Sequence, residues 1–294
     1  MQVKKAIIPA GGYGTRFLPA TKAQPKEMLP VVDKPAIQYL IEEALASGIE
    51  DIIVVTYRGK NMIADHFDKA YELETELLKT GKLSKLEDVQ KISEMTEICY
   101  VRQKQALGLG HAVYCARKFI GNEPFALMLP DDIVQATRPC ISQLIDKFNR
   151  YQSPIIGVEI VPEDKVQLYG IVKGIEVEHR VLKIESLVEK PQPREAPSKL
   201  GIIGRYILHP CIFDVLKSTR PGLGGEVQLT DALLKLNEYQ QLYAYIFEGT
   251  RYDVGDKLGY LKAVVELALQ RDEFKEGLKK YLLEIGEKLK LDLT

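Results

Sequence analysis

The sequence predicts an α/β fold: a Rossmann-like, mixed and mostly parallel sheet with helices on both faces. Short apolar runs that are typical of buried strands alternate with segments of helical periodicity in the first half of the 294-residue chain. After Gly170 apolar and charged residues alternate, which predicts antiparallel or mixed strands. We therefore expect one domain with a larger part at about 1–135, a smaller β-rich part at about 136–256 and C-terminal helices at about 257–294.

Five apolar runs and one clear helix mark the first half of the fold. The helix is predicted over 35–47, where Pro35 suits a first turn and Gly48 suits a C-terminal stop. Ligands collect beyond the carboxyl ends of the strands in open sheets of this kind, so the turns after these strands are candidate sites. The apolar face of the helix contains Ile37, Leu40, Ile41, Ala44 and Leu45, and the predicted strands cover 6–9, 52–56, 98–101, 125–129 and 155–160.

The later segments are predicted from charge, proline and helical spacing. Residues 68–97 are rich in Glu, Lys and Leu, and Gly81 separates two helical segments whose charges we interpret as a solvated face. A proline-rich surface loop is predicted over 191–197. From Gly255 on, helices dominate, and the tail to Thr294 is predicted to cover the sheet or to dock on another subunit. The first of these helices has a predicted apolar face of Leu261, Val264, Val265, Leu267 and Ala268.

Charge and composition exclude several classes of protein. The chain balances 40 Lys and Arg against 41 Asp and Glu, so its overall charge favours neither nucleic acid nor an acidic membrane. It has no signal-peptide core and no run of about 18 apolar residues. We therefore expect a cytoplasmic protein without a nucleic-acid or membrane partner. The cysteines form no C-x-x-C pair, which favours reduced, mostly buried thiols over disulfides or structural zinc: Cys99, Cys115, Cys140 and Cys211.

A glycine-rich turn, A-G-G-Y-G-T-R-F, directly follows the first predicted strand. Gly11, Gly12 and Gly14 carry no Cβ, so backbone N–H groups can approach a polyphosphate closely, and Arg16 and Lys26 supply cations. The turn therefore predicts a nucleoside triphosphate site. It lacks the third glycine of a dinucleotide fingerprint and the G-K-[ST] of a Walker A loop, which argues against a dehydrogenase.

Six motifs occur in order along the chain: G-x-G-T-R, P-K-E-M-L-P, L-G-x-G-H-A, L-P-D, E-K-P and D-V-G. Together they resemble the signature of the sugar-phosphate nucleotidyltransferases, and the resemblance spans Lys5 to about Lys262. The L-P-D string, the insertion after Asp68 and the extended C-terminus are similar to the uridylyl branch of that family. The chain departs from this branch at Tyr13, at Tyr57 and at position 11, where its glycine is also the choice of the thymidylyl branch.

The resemblance implies which residues hold the nucleotide. The base faces two backbone segments and a Gln side chain, which can both donate and accept hydrogen bonds. The triphosphate faces the glycine turn, Arg16 and Lys26; these two cations are the expected catalytic residues together with Asp131 and Lys190. The implied nucleotide-binding residues are Ala10, Gly11, Gly12, Gly14, Thr15, Gln103 and Gly108.

The resemblance also implies that Asp131 and Asp253 bind a metal ion together. Carboxylates combined with phosphate oxygens and water suit Mg²⁺, which is the expected cofactor. From local sequence alone, Asp131 could as well be a helix cap or turn residue as a metal ligand, and Asp253 could be a turn residue. Asp132 is better placed than Asp131 for capping.

The E-K-P string is the implied site for the sugar phosphate. In the family its Glu binds sugar hydroxyls and its Lys binds the phosphate of the sugar; these are Glu189 and Lys190 here. Gly170 would let the backbone approach the hexose, and Glu226 would face the sugar. Without the resemblance, E-K-P is an ordinary solvated turn and Thr230 a simple helix cap.

Taken together, the resemblance implies transfer of a uridylyl group from UTP to glucose 1-phosphate, with pyrophosphate leaving in line. His111 is not needed as a base because the attacking phosphate is already ionised, so we assign it to helix entry. We expect a homo-oligomer, a dimer or tetramer. Two alternatives stay open: a thymidylyl or other nucleotidyl relative, and a catalytically silent nucleotide-sugar-binding subunit. The silent subunit would be expected to lose Asp131, Lys26 or Asp253, and all three are present.

Overall fold

The computed structural model describes residues 2–291, and its central feature is a nine-stranded sheet. The strands are β1 (Lys5–Ala10), β2 (Pro30–Val31), β3 (Lys34–Pro35), β4 (Asp51–Thr56), β5 (Ile98–Arg102), β6 (Phe125–Met128), β7 (Asp132–Gln135), β8 (Ile155–Ile160), β9 (Gly170–Glu178), β10 (Val181–Glu189), β11 (Leu200–Leu208), β12 (Tyr243–Ile246) and β13 (Thr250–Asp253). The helices are α1 (Ala36–Ala46), α2 (Asn61–Phe67), α3 (Tyr71–Lys79), α4 (Leu83–Ser93), α5 (Leu109–Cys115), α6 (Arg117–Ile120), α7 (Cys140–Tyr151), α8 (Ile212–Ser218), α9 (Leu229–Asn237), α10 (Lys257–Leu269) and α11 (Asp272–Leu291).

The sheet has a parallel half and a largely antiparallel half. Its strand order is β5-β4-β1-β6-β11-β8-β12-β10-β9. Strands β5, β4, β1 and β6 run parallel, whereas β11 is antiparallel to β6 and β8, and β10 is antiparallel to β12 and β9. The predicted change to antiparallel pairing after Gly170 is therefore confirmed. Strands β7 and β13 form a separate two-stranded sheet in which Asp253 pairs with Asp132.

Helices cover both faces of the sheet, because successive strand residues point in opposite directions. In β1, Ile8 belongs to one apolar cluster and Ile7 to the other. The first cluster contains buried residues of α1, α7 and α10, and the second contains buried residues of α5, α8 and α9. The predicted α/β class, with helices on both faces, is confirmed. Helix α1 is one residue shorter at each end than predicted, because Pro35 is its N-cap rather than part of its first turn and Ser47 is its C-cap; Gly48, with a φ of 83°, follows it.

Some packing predictions are wrong. The predicted apolar face of helix α10 included Leu261, but this side chain is 59% exposed. The helix packs against β13 and β2 and buries Ala263, Leu267 and Ala268 instead. All four cysteines are free thiols as expected, but only Cys140 of the four is buried.

The charged segment and the C-terminal tail agree with the sequence where they are described. Helices α3 and α4 are separated at Gly81, which has a φ of 69°. The end of the predicted tail, 292–294, lies outside the described residues. Within 2–291 the helices are all too short or too polar to cross a membrane.

A buried ion pair anchors the middle of the sheet. Arg205 of β11 is 0% exposed, and its guanidinium donates to both carboxylate oxygens of Glu43 on α1, at 2.8 to 3.2 Å. The same guanidinium donates to the carbonyl oxygens of Leu129 at 3.2 Å and Asp132 at 2.7 Å. These bonds use donors that burial would otherwise leave unsatisfied. Arg205 therefore fixes the turn between β6 and β7, which contains Asp131.

We expect Arg205→Met to lower the free energy of unfolding by about 3 to 5 kcal/mol, because it leaves the Glu43 carboxylate buried without its partner. Urea denaturation measures the change. The control is Lys199→Met, which breaks a 2.8 Å ion pair with Glu163 at the surface. The Lys199 side chain is 56% exposed and the Glu163 side chain is 69% exposed. The control should cost less than about 1 kcal/mol. Equal losses in the two variants would contradict the anchoring role of Arg205.

Candidate active site

A cavity of about 520 Å³ opens where β1, β5 and β6 end. Its position agrees with the rule that ligands bind beyond the carboxyl ends of strands in open α/β sheets. Many of the residues singled out from the sequence line it: Gly11, Gly12, Gly14, Thr15, Arg16, Lys26, Gln103, Gly108, Asp131 and Glu226. The structure thus brings together residues from four of the six motifs, along with Gln103 and Glu226.

The glycine turn is packed against Lys26. Gly14 has a φ of 65°, and a Cβ there would lie 3.2 Å from the Cβ atoms of Lys26 and Thr21. The Thr21 hydroxyl donates to the Gly14 carbonyl oxygen at 2.6 Å, which holds the turn in place. On the opposite side, Arg16 donates to the carbonyl oxygen of Gly255 at 3.4 Å. The turn therefore needs glycine for its backbone conformation and for the close approach of neighbouring side chains.

Two ion pairs lie side by side at the wall of the cavity. Lys26 pairs with Asp131, and Lys60 pairs with Glu27 at 2.8 Å. Burial alone would lower the pKa of Lys26, but the charges of Asp131 and Glu27 raise it above its ordinary value, so Lys26 stays protonated. Burial raises the pKa of Glu27 and lowers that of Lys60. Among the residues that the structure describes, Glu27 Oε1 has no hydrogen-bond partner.

Gln103 is held in one orientation beside the glycine turn. Its side-chain amide donates to the carbonyl oxygen of Gly108 at 3.2 Å and lies 2.9 Å from His111 Nδ1. Its Oε1 faces Gly11, where a Cβ would lie only 2.8 Å away. Burial lowers the pKa of His111, which favours the neutral ring that accepts this hydrogen bond. His111 is in the first turn of α5, as expected, and it also orients Gln103.

The Glu226 loop is docked onto the Gly108 loop by backbone hydrogen bonds. The N–H of Val227 donates to the Leu107 carbonyl oxygen at 2.8 Å, and the N–H of Gly110 donates to the Val227 carbonyl oxygen at 2.9 Å. A Cβ on Gly108 would lie 2.7 Å from the Cβ of Glu226. These contacts place Glu226 in the cavity wall.

The three aspartates at the end of β6 and β13 have different surroundings. Asp131 faces the cavity, while Asp132 is buried in β7 and pairs with Arg251 at 2.6 Å. The interpretation of Asp132 as a cap is wrong, because its carboxylate is used by this ion pair. Asp253 ends β13, and the N–H of Val254 donates to the Asp131 carbonyl oxygen at 2.7 Å. The segments that carry Asp131 and Asp253 are therefore joined directly.

The carboxylates of Asp131 and Asp253 would suit a divalent cation that also binds the phosphates of a nucleotide. In the described part of the chain, His, Cys, Asp and Glu side chains form no group of three or more that could hold a metal. Two carboxylates would leave the other coordination positions to phosphate oxygens and water, which is the usual arrangement for Mg²⁺.

A second group of residues lies at the β9–β10 edge of the sheet. The Thr230 hydroxyl donates to Glu189 Oε2 at 2.6 Å, and Lys190 Nζ lies 2.6 Å from Glu189 Oε1. A Cβ on Gly170 would lie 3.0 Å from Thr230 Oγ1 and 3.2 Å from Glu189 Oε2. Thr230 is not a helix cap, since Gln228 holds the N-cap position of α9. Gly170, Glu189 and Lys190 therefore meet as the E-K-P motif predicts, together with Thr230.

Three residues near these groups were not predicted from the sequence: Lys60, Tyr169 and Arg251. Lys60 pairs with Glu27 across 33 positions, and Arg251 pairs with Asp132 across 119 positions. Tyr169 directly precedes Gly170, and its hydroxyl donates to Asp253 Oδ2 at 3.2 Å. Of these three residues only Arg251 could have been suspected from the sequence, because it stands in T-R-Y-D, two residues before the implied metal ligand Asp253.

The fold and the site define a class of enzyme. A family model described as nucleotidyl transferase matches residues 5–270. The chain belongs to this family of nucleotidyltransferases.

Proteins with a high level of identity give more detail. The UTP–glucose-1-phosphate uridylyltransferase of Bacillus subtilis (strain 168) is 55% identical over 277 residues, which are 94% of this chain and 95% of that protein. A UTP-bound UGPase from Acinetobacter baumannii is similar with a TM-score of 0.89 and 42% identity, over 96% of this chain and 99% of that one. A UDP-glucose pyrophosphorylase complexed with UDP-glucose gives a TM-score of 0.85 and 43% identity, over 92% of this chain and 100% of that one.

We expect Gly108→Ala to be more destabilising than Gly48→Ala, although the two positions have similar φ values of 97° and 83°. Gly48→Ala carries the left-handed backbone penalty of about 1–2 kcal/mol. Gly108, with a φ of 97° and a ψ of 176°, lies in a region that is essentially restricted to glycine, where the backbone penalty is about 1–3 kcal/mol. At Gly108 the new Cβ also meets Glu226 and the backbone of Val227, whereas nothing lies within 4 Å of a Cβ at Gly48. Overpacking should add about 1–3 kcal/mol to the loss of unfolding free energy at Gly108. Chemical denaturation checks the difference, and equal losses would mean that the Glu226 loop is not docked as described.

Proposed function

We propose that this protein transfers the uridylyl group of UTP to α-D-glucose 1-phosphate, forming UDP-glucose and pyrophosphate. One observation carries the proposal: Arg16, Lys26 and Asp131 share a single cavity with the glycine turn, and Tyr169 connects this region to the E-K-P motif. Relatives named for this reaction, at 55% and 53% identity over 94% and 97% of the chain, support it. The retained cations and carboxylates argue against a catalytically silent subunit.

The nucleotide is proposed to lie along the glycine turn. Backbone N–H groups between Gly11 and Thr15 face the phosphates, and Arg16 and Lys26 neutralise their charge. The two side-chain N–H groups of Gln103 are used by Gly108 and His111, so Gln103 presents its Oε1 to the uracil edge, beside the backbone of Ala10 and Gly11.

Asp131 and Asp253 are proposed to hold a divalent cation, which we assign as Mg²⁺. When bound, it would neutralise phosphate charge at the reacting centre. Arg251 and Tyr169 keep Asp253 in place, and the backbone bond from Val254 to Asp131 keeps the two carboxylates on neighbouring segments.

The sugar phosphate is proposed to bind at the β9–β10 edge. Glu189 and Glu226 accept hydrogen bonds from sugar hydroxyls, Gly170 leaves room for the hexose, and Lys190 holds the phosphate. The phosphate oxygen attacks the α-phosphorus in line, and no residue needs to remove a proton because that oxygen is already ionised. The residues of the chain therefore act by positioning the reactants and stabilising charge.

We also propose that about 1–135 holds the nucleotide, about 136–256 holds the sugar phosphate and the helices from about 257 support both, in a cytoplasmic homo-oligomer.

Selectivity for the nucleotide tests the proposed function. With equal concentrations of UTP and dTTP, we expect UDP-glucose to exceed dTDP-glucose by at least about tenfold, which corresponds to about 1.4 kcal/mol in kcat/KM. The methyl group alone accounts for about 1–3 kcal/mol, and the ribose 2′-hydroxyl adds to the difference. Quantifying both products by chromatography measures the ratio. Equal products, or an excess of dTDP-glucose, would assign the chain to thymidylyl transfer.

Two substitutions separate the proposed binding sites of the two substrates. Lys190→Ala should raise the KM for glucose 1-phosphate, and Arg16→Ala should raise the KM for UTP, each by at least about tenfold, because each variant loses one charge-assisted contact to one substrate. Steady-state kinetics with each substrate varied in turn measures both values. If Lys190→Ala changed only the UTP dependence, the assignment of the E-K-P motif to the sugar phosphate would be wrong.

A further inference from the structure

We propose that Tyr169 is a positioning residue that orients the Asp253 carboxylate and fixes it relative to the sugar-phosphate motif. This inference rests on the proposed function, because it takes Asp253 as a metal ligand and Lys190 as a ligand of the sugar phosphate. It gives a role to a side chain that was not predicted from the sequence.

The hydrogen bonds of the Tyr169 hydroxyl set its orientation. Arg251 Nη2 lies 2.9 Å from the hydroxyl oxygen, and a guanidinium carries only donors, so the tyrosine oxygen must accept this bond. The single hydroxyl hydrogen is then free to point at Asp253 Oδ2, which lies 3.2 Å away. Arg251 itself lies 3.7 Å from that carboxylate, so the tyrosine makes the closer contact.

Arg251 is a rigid support for this arrangement. Its side chain is 8% exposed, and it pairs with Asp132 at 2.6 Å and with Glu159 at 2.5 Å. Its guanidinium also lies over the Tyr169 ring, 5.0 Å from the ring centroid. A guanidinium is not deprotonated in proteins and has no acceptor, so Arg251 is a donor in every one of these contacts. The hydroxyl of Tyr169 therefore cannot turn away from Asp253 without losing the bond from Arg251.

Both oxygens of Asp253 are held as a result. Oδ1 accepts a hydrogen bond from the N–H of Gly255 at 3.0 Å, and Oδ2 accepts the one from Tyr169. A carboxylate oxygen has two lone pairs, so each oxygen keeps one for a cation. Hydrogen bonds to a ligating carboxylate fix its direction and strengthen metal binding.

The backbone of Tyr169 belongs to the other substrate region. Its carbonyl oxygen accepts a hydrogen bond from the N–H of Lys190 at 3.0 Å, and Lys190 has a φ of 47°, which non-glycine residues rarely adopt. The next residue, Gly170, contacts Glu189 and Thr230. A single residue thus contacts the E-K-P motif through its backbone and Asp253 through its side chain. In-line transfer requires the attacking oxygen and the α-phosphorus at a fixed separation, and Tyr169 joins the two groups of residues that would hold them.

Tyr169→Phe tests the inference because it removes the hydroxyl and keeps the ring and the backbone. With Mn²⁺ as the probe and a UTP analogue that carries a methylene between its α- and β-phosphorus, we expect the variant to bind the metal about tenfold more weakly than the wild-type protein. Electron paramagnetic resonance of free Mn²⁺ measures the affinity without turnover. In the reaction, kcat at a fixed, subsaturating Mg²⁺ concentration should fall about tenfold, while the KM for glucose 1-phosphate should change by less than about twofold.

Tyr252→Phe is the matched control. Tyr252 is on β13, next to Asp253, it is 6% exposed, and its hydroxyl also donates to a carboxylate, Glu266 Oε2 at 3.0 Å. Because Glu266 lies outside the site, this variant should bind Mn²⁺ as the wild-type protein does. Asp253→Asn removes the charge of the metal-ligating carboxylate itself, so it should weaken Mn²⁺ binding at least as much as Tyr169→Phe.

The outcomes separate this inference from the proposed function. A wild-type protein that forms no UDP-glucose, or forms it without a divalent cation, would overturn the proposed function and the inference with it. If the wild-type protein is active and Asp253→Asn weakens Mn²⁺ binding, unchanged Mn²⁺ affinity in Tyr169→Phe would overturn the inference alone. Equal losses of affinity in Tyr169→Phe and Tyr252→Phe would also overturn it, because the effect would then not be specific to Asp253.

Discussion

The buried contact between Arg205 and Glu43 is the constraint on which the rest of the structure depends. Arg205 lies on β11, between the parallel and the antiparallel halves of the sheet, and Glu43 lies on the helix that covers β1. The guanidinium also binds the carbonyl oxygens of Leu129 and Asp132. The turn between these two residues therefore has a fixed position relative to the sheet, and Asp131 projects from it into the cavity. A buried charge in the core thus determines the position of the Asp131 carboxylate in the cavity wall.

A second arginine completes this arrangement from the other side. The Asp132 carbonyl oxygen accepts a hydrogen bond from Arg205, and the Asp132 carboxylate accepts one from Arg251. One buried aspartate therefore contacts two arginines. Arg251 lies on β13, whose last residue is Asp253. The separation of Asp131 from Asp253 is therefore controlled by Asp132, which faces neither the cavity nor the solvent. Asp131 and Asp132 have different surroundings because strand β7 begins at Asp132: Asp131 faces the cavity, whereas Asp132 is buried.

The sequence predicted those parts of the fold that depend only on neighbouring residues, namely the buried strands and the glycine turns. Apolar runs gave the buried strands, and the positive φ of Gly14 and Gly48 agrees with the turns that these glycines marked. Contacts between distant segments were not predictable, since nothing near Asp132 indicates that Arg251, 119 positions away, pairs with it. Strands β7 and β13 were missed because they are four residues long and contain polar residues. The meeting of Glu189 with Gly170 followed from motif resemblance, whereas the role of Thr230 beside them required the structure.

The ion pair between Lys26 and Asp131 has a consequence for the order of binding equilibria. Each charge is compensated by the other, and the Lys26 side chain is only 20% exposed. If the metal and the nucleotide bind as proposed, a bare cation on Asp131 would take away the closest counter-charge of Lys26, and a bare triphosphate on Lys26 would face the Asp131 carboxylate. With both ligands present each charge would have a partner, so the site would disfavour each ligand alone. The two ligands would then show positive thermodynamic linkage, which is reciprocal: the metal would increase the affinity for the nucleotide by the same factor by which the nucleotide increases the affinity for the metal.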